Sequence, residues 1–271
     1  MTDTLHRILP QVQKPARYVG GEYNQIVKDK RDVDVRVAFC FPDTYEIGMS
    51  NIGMRILYGL MNELPGVWCE RVFAPWGDME EKMREHAIPL YALESHDPVR
   101  AFDLIAFTIG YEMSYTNILN MLDLSGVPLL ARERKGLENI VFAGGVCAVN
   151  PEPLADFIDF FSFGEGEEIT KEILACYRQA KKDGCSKEEF LLRVSRIDGV
   201  YVPSFYEHSY NPDGMLAAIT PKNGAPAKVR KRIVQDMDAA YFQTKTIVPS
   251  TEIVHDRTNL EIFRGCIRGC R

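Results

Sequence analysis

The chain has 271 residues, of which 46% are hydrophobic and 26% charged, with a formal net charge of −6. These values are ordinary for a globular protein and give no support for a broad phosphate-binding surface, so nucleic acid is not an indicated partner. Seven scattered cysteines do not indicate a disulfide framework, and no segment has the apolar length of a signal peptide or membrane span, so we expect a cytoplasmic protein.

The first third of the chain begins with a polar extension and continues with a strand and a helix. Residues 1–33 are irregular and interrupted by prolines. The apolar, β-branched run 35–41 then predicts a buried strand that ends at Pro42 and Asp43. Residues 51–64 carry apolar side chains at the spacing of one helix face. These two elements predict a first strand-helix unit.

Strands and helices continue to alternate as far as about residue 200. This alternation predicts a domain at 34–200 that contains a doubly wound parallel sheet, with ligands expected at the carboxyl ends of its strands. A Ser-x-x-Glu capping box at Ser186 predicts the start of the last helix. Further strands are predicted at 68–74, 90–93, 103–110, 139–143 and 157–163, and further helices at 78–86, 117–124 and 168–182.

The last seventy residues are predicted to be less regular. Two runs, 201–209 and 215–220, flank a turn sequence and predict a hairpin, and a polar, solvated connector follows as far as residue 250. From Thr251 a strand pattern resumes and leads through the extended run 260–263. We therefore expect residues 251–271 to be the start of a second domain.

The chain closes on the sequence RGCIRGCR, in which Cys266 and Cys270 each follow a glycine. Cysteine thiolates hold iron in iron-sulfur clusters, and glycines allow a loop to wrap closely round the inorganic core. The pattern resembles the opening of the CxxxCxxC motif of radical S-adenosylmethionine enzymes, whose first barrel strand leads into such a loop. The third cysteine would fall three residues beyond Cys270. We therefore expect the N-terminal part of a longer enzyme, truncated inside this motif.

The loops that follow the predicted strands carry a second resemblance. The segment from Asp43 to Gly48 is similar to the DxHxxG loop of flavodoxin-like cobalamin-binding domains, with Tyr45 at the position of the cobalt-ligating histidine. Gly144 and Gly145 match the glycine pair that approaches the nucleotide tail of cobalamin. The resemblance implies a cobalamin-binding α/β fold, with a cofactor site formed by Asp43, Tyr45, Gly48, Thr108, Gly110, Gly144, Gly145, Gly164 and Gly166.

Together the two resemblances imply an enzyme that cleaves S-adenosylmethionine to a 5′-deoxyadenosyl radical. Cys266 and Cys270 would be ligands of a 4Fe-4S cluster, cobalamin would support methyl transfer or rearrangement, and a flavodoxin or ferredoxin would donate electrons. The sequence names no substrate. Residues 1–271 alone are predicted to be inactive, because the third cysteine ligand is not in this sequence.

Two alternatives remain open at this stage. A methylthiotransferase-like protein would bind a second cluster through Cys40, Cys69 and Cys147. A non-catalytic module would bind cobalamin or a partner without radical chemistry.

Overall fold

A computed structural model describes residues 2–269, and a six-stranded sheet lies at its centre. The strands are β1 (Val35–Phe41), β2 (Val67–Phe73), β3 (Leu104–Thr108), β4 (Ile140–Gly144), β5 (Phe160–Ser162) and β6 (Val200–Tyr201). Their order across the sheet is β2-β1-β3-β4-β5-β6. The first five strands are parallel, and β6 runs antiparallel to β5.

Helices cover both faces of the sheet. In the described residues they are α1 (Thr2–Ile8), α2 (Tyr45–Ser50), α3 (Ile52–Glu63), α4 (Gly77–Glu85), α5 (Tyr115–Ser125), α6 (Gly166–Asp183) and α7 (Lys187–Val194). Side chains alternate along a strand, so Val37 packs in a core with α3, α6 and α7, whereas Ala38 packs in a second core with α1, α4 and α5. The predicted α/β fold with a mostly parallel sheet is confirmed.

A buried group of charges joins the N-terminal extension to the sheet. Arg71 on β2 donates from Nη1 to Oε1 of Glu22 at 2.8 Å and from Nε to Oε1 of Glu94 at 2.7 Å. All three side chains are at most 1% exposed. Because a buried charge is stable only when paired, these contacts hold the extension against the domain. Tyr23 adds an antiparallel bridge to Val248, far along the chain.

The predicted strand at 90–93 was wrong. Within this run only Tyr91 makes a β-bridge, an isolated one with Pro98. Leu90 donates its N–H to Leu124 and accepts from Val99, so the segment closes as a loop between α4 and β3. Its apolar side chains are buried, which explains the strand-like pattern without a strand.

The predicted strand at 201–209 is divided in two. Val200–Tyr201 forms β6 in the main sheet, whereas β7 (Tyr206–Tyr210) pairs with β8 (Leu216–Pro221) in a separate two-stranded sheet. A 3-10 turn beginning at Pro203 separates them, because proline cannot donate to a strand ladder. The predicted hairpin is therefore present, but its first strand begins later.

The C-terminal part differs from the prediction in two respects. Residues 251–269 contain no strand, because the backbone of the run 260–263 pairs with no other segment within the described residues. The preceding connector is not simply solvated, since Ala225 and Ile247 are buried in the core that contains α3. The proposed domain boundaries at residues 34, 201 and 251 stay predictions.

Candidate functional site at the carboxyl edge of the sheet

The loops that follow β1, β3, β4 and β5 meet at one edge of the sheet. After β1 the chain crosses to the face that carries α3, whereas after β3 it crosses to the face that carries α5. The crevice between β1 and β3 is therefore the point where the direction of winding reverses, which is where doubly wound sheets bind ligands.

Asp43 lies at this crevice and connects the loops that follow β1 and β3. Its Oδ1 accepts the N–H of Thr44 at 2.7 Å, and its Oδ2 accepts the hydroxyl of Tyr111 at 3.1 Å. The charge of Asp43 raises the pKa of the Tyr111 phenol, so that phenol stays protonated and acts as a donor. Asn117 on α5 also donates to the carbonyl of Pro42 at 2.9 Å.

Tyr45 and Gly48 are placed in the core behind this crevice. Tyr45 is 1% exposed, donates its hydroxyl to Glu22 at 2.9 Å and packs edge-on against Phe73. A Cβ at Gly48 would lie 2.2 Å from the Phe73 ring, so the glycine allows α2 to approach β2. Both residues therefore support the first loop from beneath. Their predicted part in cofactor binding stays a prediction.

Thr108, Gly110, Gly144 and Gly145 lie together at the ends of β3 and β4. Thr108 is opposite Gly144 in the parallel ladder. Gly145 has φ +102°, and a Cβ there would lie 2.6 Å from the carbonyl oxygen of Ile109. Gly110, by contrast, faces open space. The structure thus brings these four predicted residues together, and close packing of the two loops accounts for Gly145.

Four exposed apolar side chains surround the same two loops, and the sequence analysis did not single them out. They come from the loops after β3 and β4, and three of them are strongly exposed, with Met113 the most exposed at 80%. An apolar patch of this kind on a binding edge marks an interaction site more often than isolated apolar residues do. We call Tyr111, Met113, Val146 and Val149 the edge patch.

Gly164 and Gly166 flank the turn between β5 and α6. Gly164 forms a parallel bridge with Arg232, and a Cβ at this position would clash with the backbone of Arg232. The Arg232 guanidinium reaches Glu168 on α6 at 3.0 Å. The connector therefore crosses the carboxyl end of β5 and packs on Gly164, whereas Gly166 lies against Leu57 of α3.

The same turn contacts residues 258–266, which include Cys266 and which we call the cysteine segment. Arg264 forms ion pairs with Glu167 and, at 3.7 Å, with Glu165, and its Nε also donates to Glu261 at 2.8 Å. The hydrogen bonds to Glu261 and Glu167 raise the pKa of Arg264, so it stays charged. Sequence reasoning did not find the pairing of Glu165 and Glu167 with Arg264. No sequence pattern relates residues a hundred positions apart.

Cys266 follows Arg264 by two residues and is exposed. The N–H of Arg268 is directed at its sulfur at 3.4 Å, and Gly265 has φ +91°. A thiolate that receives a backbone N–H is suited to ligation in an iron-sulfur cluster. Cys270, the second predicted ligand, lies outside the described residues.

The three cysteines proposed for a second cluster are not brought together. Cys69 lies in the core that contains α3, whereas Cys40 lies in the core on the opposite face, and both are fully buried. Burial raises the pKa of both thiols, which therefore stay protonated. Cys147 follows β4 at the sheet edge. No three His, Cys, Asp or Glu side chains within residues 2–269 are grouped as a metal site, and the positions of these cysteines give the second-cluster alternative no support.

Comparisons with known proteins give the family. No solved structure matches the chain. In the chain itself, no helix of the described part is long and apolar enough to cross a bilayer. An uncharacterized protein of Methanocaldococcus jannaschii is 29% identical over 143 residues, which are 51% of this chain and 26% of the relative, so the chain spans about a quarter of that relative's length. The family model described as "Radical SAM proteins, N-terminal" matches residues 53–203, more than half of the chain. The chain therefore belongs to the radical S-adenosylmethionine proteins, within their N-terminal region.

Proposed function

We propose that this chain is the N-terminal α/β part of an enzyme that uses a 4Fe-4S cluster to cleave S-adenosylmethionine, with Cys266 and Cys270 among the cluster ligands. Family membership supports the general chemistry, since such proteins bind a cluster and S-adenosylmethionine. The bound cluster and S-adenosylmethionine would together supply a 5′-deoxyadenosyl radical that abstracts hydrogen from the substrate. An external electron donor such as flavodoxin or ferredoxin belongs to the same proposal.

The contact between Arg264 and the β5–α6 turn is the observation that carries the proposal. Arg264 is anchored by Glu165 and Glu167 at the carboxyl edge of the sheet. Two residues of chain span at most about 7 Å, so the sulfur ligand at Cys266 is held close to that edge. In this arrangement the α/β domain positions the cluster loop, and the N–H of Arg268 supports the thiolate.

The assignment of Cys266 is tested by replacing single cysteines in the full-length protein. After anaerobic reconstitution with iron and sulfide, Cys266→Ser is expected to lose the S-adenosylmethionine-sensitive EPR signal and most of the cluster iron. Cys147→Ser is the matched control and is expected to keep both. Retention of the signal by the first variant, or its loss from the second, would refute the assignment.

A second candidate function is cobalamin binding at the sheet edge. The strand order β2-β1-β3-β4-β5 is that of flavodoxin-like sheets, and the edge patch offers an apolar surface at the crevice where such sheets hold their cofactors. Tyr45 stands at the position of the cobalt-ligating histidine, but it is buried and its hydroxyl is hydrogen-bonded to Glu22. Tyr45 is therefore not available to coordinate cobalt. We therefore propose a site in which the corrin ring would rest on the edge patch without a protein ligand to the metal.

Titration with hydroxocobalamin tests this second candidate. Val146→Glu places a charge in the edge patch and is expected to weaken binding at least tenfold. Val254→Glu changes an equally exposed valine elsewhere and is expected to bind as the unaltered chain does. If the unaltered chain fails to bind, or if both variants bind equally well, the cobalamin proposal is wrong.

A further inference from the structure

A cavity beside α3 is lined by two residues that have buried polar atoms without a hydrogen-bond partner in the described part of the chain. It has a volume of about 640 Å³ and lies between the first two turns of α3 and residues 241–261. Its walls include Ile52, Ile56 and Ile253. Its volume and apolar lining are typical of sites for small organic ligands.

Arg55 is the first unsatisfied group in this cavity. Its Nε and Nη2 are buried and have no hydrogen-bond partner among residues 2–269. These two nitrogens form the edge of the guanidinium that binds a carboxylate through two parallel hydrogen bonds. Arg55 also lies near the N-terminus of α3, where the helix dipole disfavours a cation. Burial lowers its pKa. An anion bound here would offset each of these unfavourable terms.

Gln243 supplies the second unsatisfied group. Its Nε2 donates to the carbonyl of Lys245 at 3.2 Å, which fixes the orientation of the amide, and its Oε1 is buried without a partner. The Gln243 amide packs on Gly59, where a Cβ would lie 2.7 Å from Nε2. Gly59 is one helical turn after Arg55, so Gln243 packs on the face of α3 that carries Arg55.

The charges around the cavity favour a ligand with one negative charge. Asp256 and Glu261 also line it and would repel a dianion such as phosphate. Arg257, the second guanidinium in the lining, already contacts Nδ1 of His255 at 3.3 Å. Arg55 is therefore the guanidinium of this cavity that has its carboxylate-binding edge free within the described residues.

We propose that this cavity binds a small apolar carboxylic acid that also carries a hydrogen-bond donor, of the class of aliphatic α-amino acids. The carboxylate pairs with Nε and Nη2 of Arg55, the amino group donates to Oε1 of Gln243, and the aliphatic side chain packs on Ile52, Ile56 and Ile253. The inference does not depend on the proposed radical chemistry, because none of these residues belongs to the cysteine segment or to the sheet edge.

Isothermal titration of the 271-residue chain with four probes tests the proposal. L-leucine is expected to bind saturably, and 4-methylpentanoate, which lacks the amino group, to bind about tenfold more weakly because one hydrogen bond is lost. L-leucinamide, which lacks the carboxylate, and inorganic phosphate are expected not to bind. The proposal fails if neither acid binds, or if leucinamide or phosphate binds as well as leucine does.

Two variants connect the binding to the assigned residues. Arg55→Lys keeps the charge but loses the paired donor edge, so leucine should bind at least tenfold more weakly. Arg257→Lys changes the neighbouring guanidinium and should leave leucine binding unaltered. Because the Arg55 guanidinium has no hydrogen-bond partner among the described residues, its variant should melt at or above the temperature of the unaltered chain. Equal leucine binding by the two variants would overturn the assignment of Arg55.

Discussion

At the scale of single residues, the buried charge of Arg71 explains why the glutamates Glu22 and Glu94 can lie in the interior of the protein. Burial would raise the pKa of Glu22, but the hydrogen bonds and charge of Arg71 outweigh it and hold that pKa below its usual value. For Glu94 burial dominates, and its pKa is raised in spite of Arg71. Glu22 of the polar N-terminal extension is thus paired with Arg71 of β2, a contact that forms only when the chain folds.

Replacement of Arg71 by methionine is expected to lower the free energy of unfolding at neutral pH by about 3–5 kcal/mol, because two buried carboxylates lose their cation. Without Arg71 the folded-state pKa of both carboxyls would lie above the unfolded value, so stability would fall as pH rises past that value. The variant should therefore lose more stability at pH 7.5 than at pH 5.

Urea unfolding of both proteins at the two pH values measures the difference. Arg31→Met, which removes an exposed arginine paired with Asp29, is the control and should leave the free energy of unfolding nearly unchanged at either pH, because an exposed ion pair is screened by solvent. An equal loss at pH 5 and pH 7.5 for Arg71→Met would contradict the argument.

At the scale of secondary-structure elements, the sequence predicted best where local chemistry determines the structure. The capping box at Ser186 is present, and α6 ends at Gly184 in the left-handed conformation, as a glycine at that position indicates. Buried apolar runs were less informative. The run 90–93 has the composition of a strand but lies in a loop, because strand identity depends on a neighbour that the local sequence does not specify.

The candidate site was predictable to a similar extent. The sequence located the loops after β1, β3, β4 and β5, because strand ends can be recognised locally and parallel strands place them at one edge. It could not place Tyr45 in the core, since that burial depends on Glu22 in a distant extension. Pairing of Arg264 with Glu165 and Glu167 was unpredictable for the same reason.

The two glycines Gly110 and Gly145 give a matched test at the sheet edge. Gly145→Ala is expected to cost about 1–3 kcal/mol, because φ is +102° and the new methyl group would contact the carbonyl of Ile109. Gly110→Ala meets open space and should change stability by less than about 0.5 kcal/mol. Thermal unfolding of the two variants provides the comparison, and equal melting temperatures would show that the loops can separate freely.

At the scale of the whole molecule, a few charged contacts connect the cysteine segment to the sheet. The hydrogen bond from Arg264 lowers the pKa of Glu261. The ion pair between them therefore persists to a lower pH than the usual pKa of a glutamate. The contacts are only partly buried, and salt should weaken them. The position of the segment is therefore expected to depend on Arg264 and on ionic strength.

Backbone ¹⁵N relaxation measured by NMR tests this dependence. Arg264→Gln should lower the order parameters of residues 258–266 and make them insensitive to added salt. Arg268→Gln, which alters a nearby arginine with no ion pair among the described residues, should leave these order parameters as they are in the unaltered chain. If Arg264→Gln leaves the order parameters unchanged, other contacts hold the segment.

The anchoring of the N-terminal extension has a consequence for how the protein emerges from the ribosome. Residues around Tyr23 and Asn24 are synthesised early, yet Asn24 donates to the carbonyl of Thr246, a residue 222 positions later. The extension therefore cannot make all of its contacts until residues 246–248 have been translated. Until then Glu22 can pair with Arg71 and Tyr45, but Tyr23 and Asn24 lack their partners in the connector.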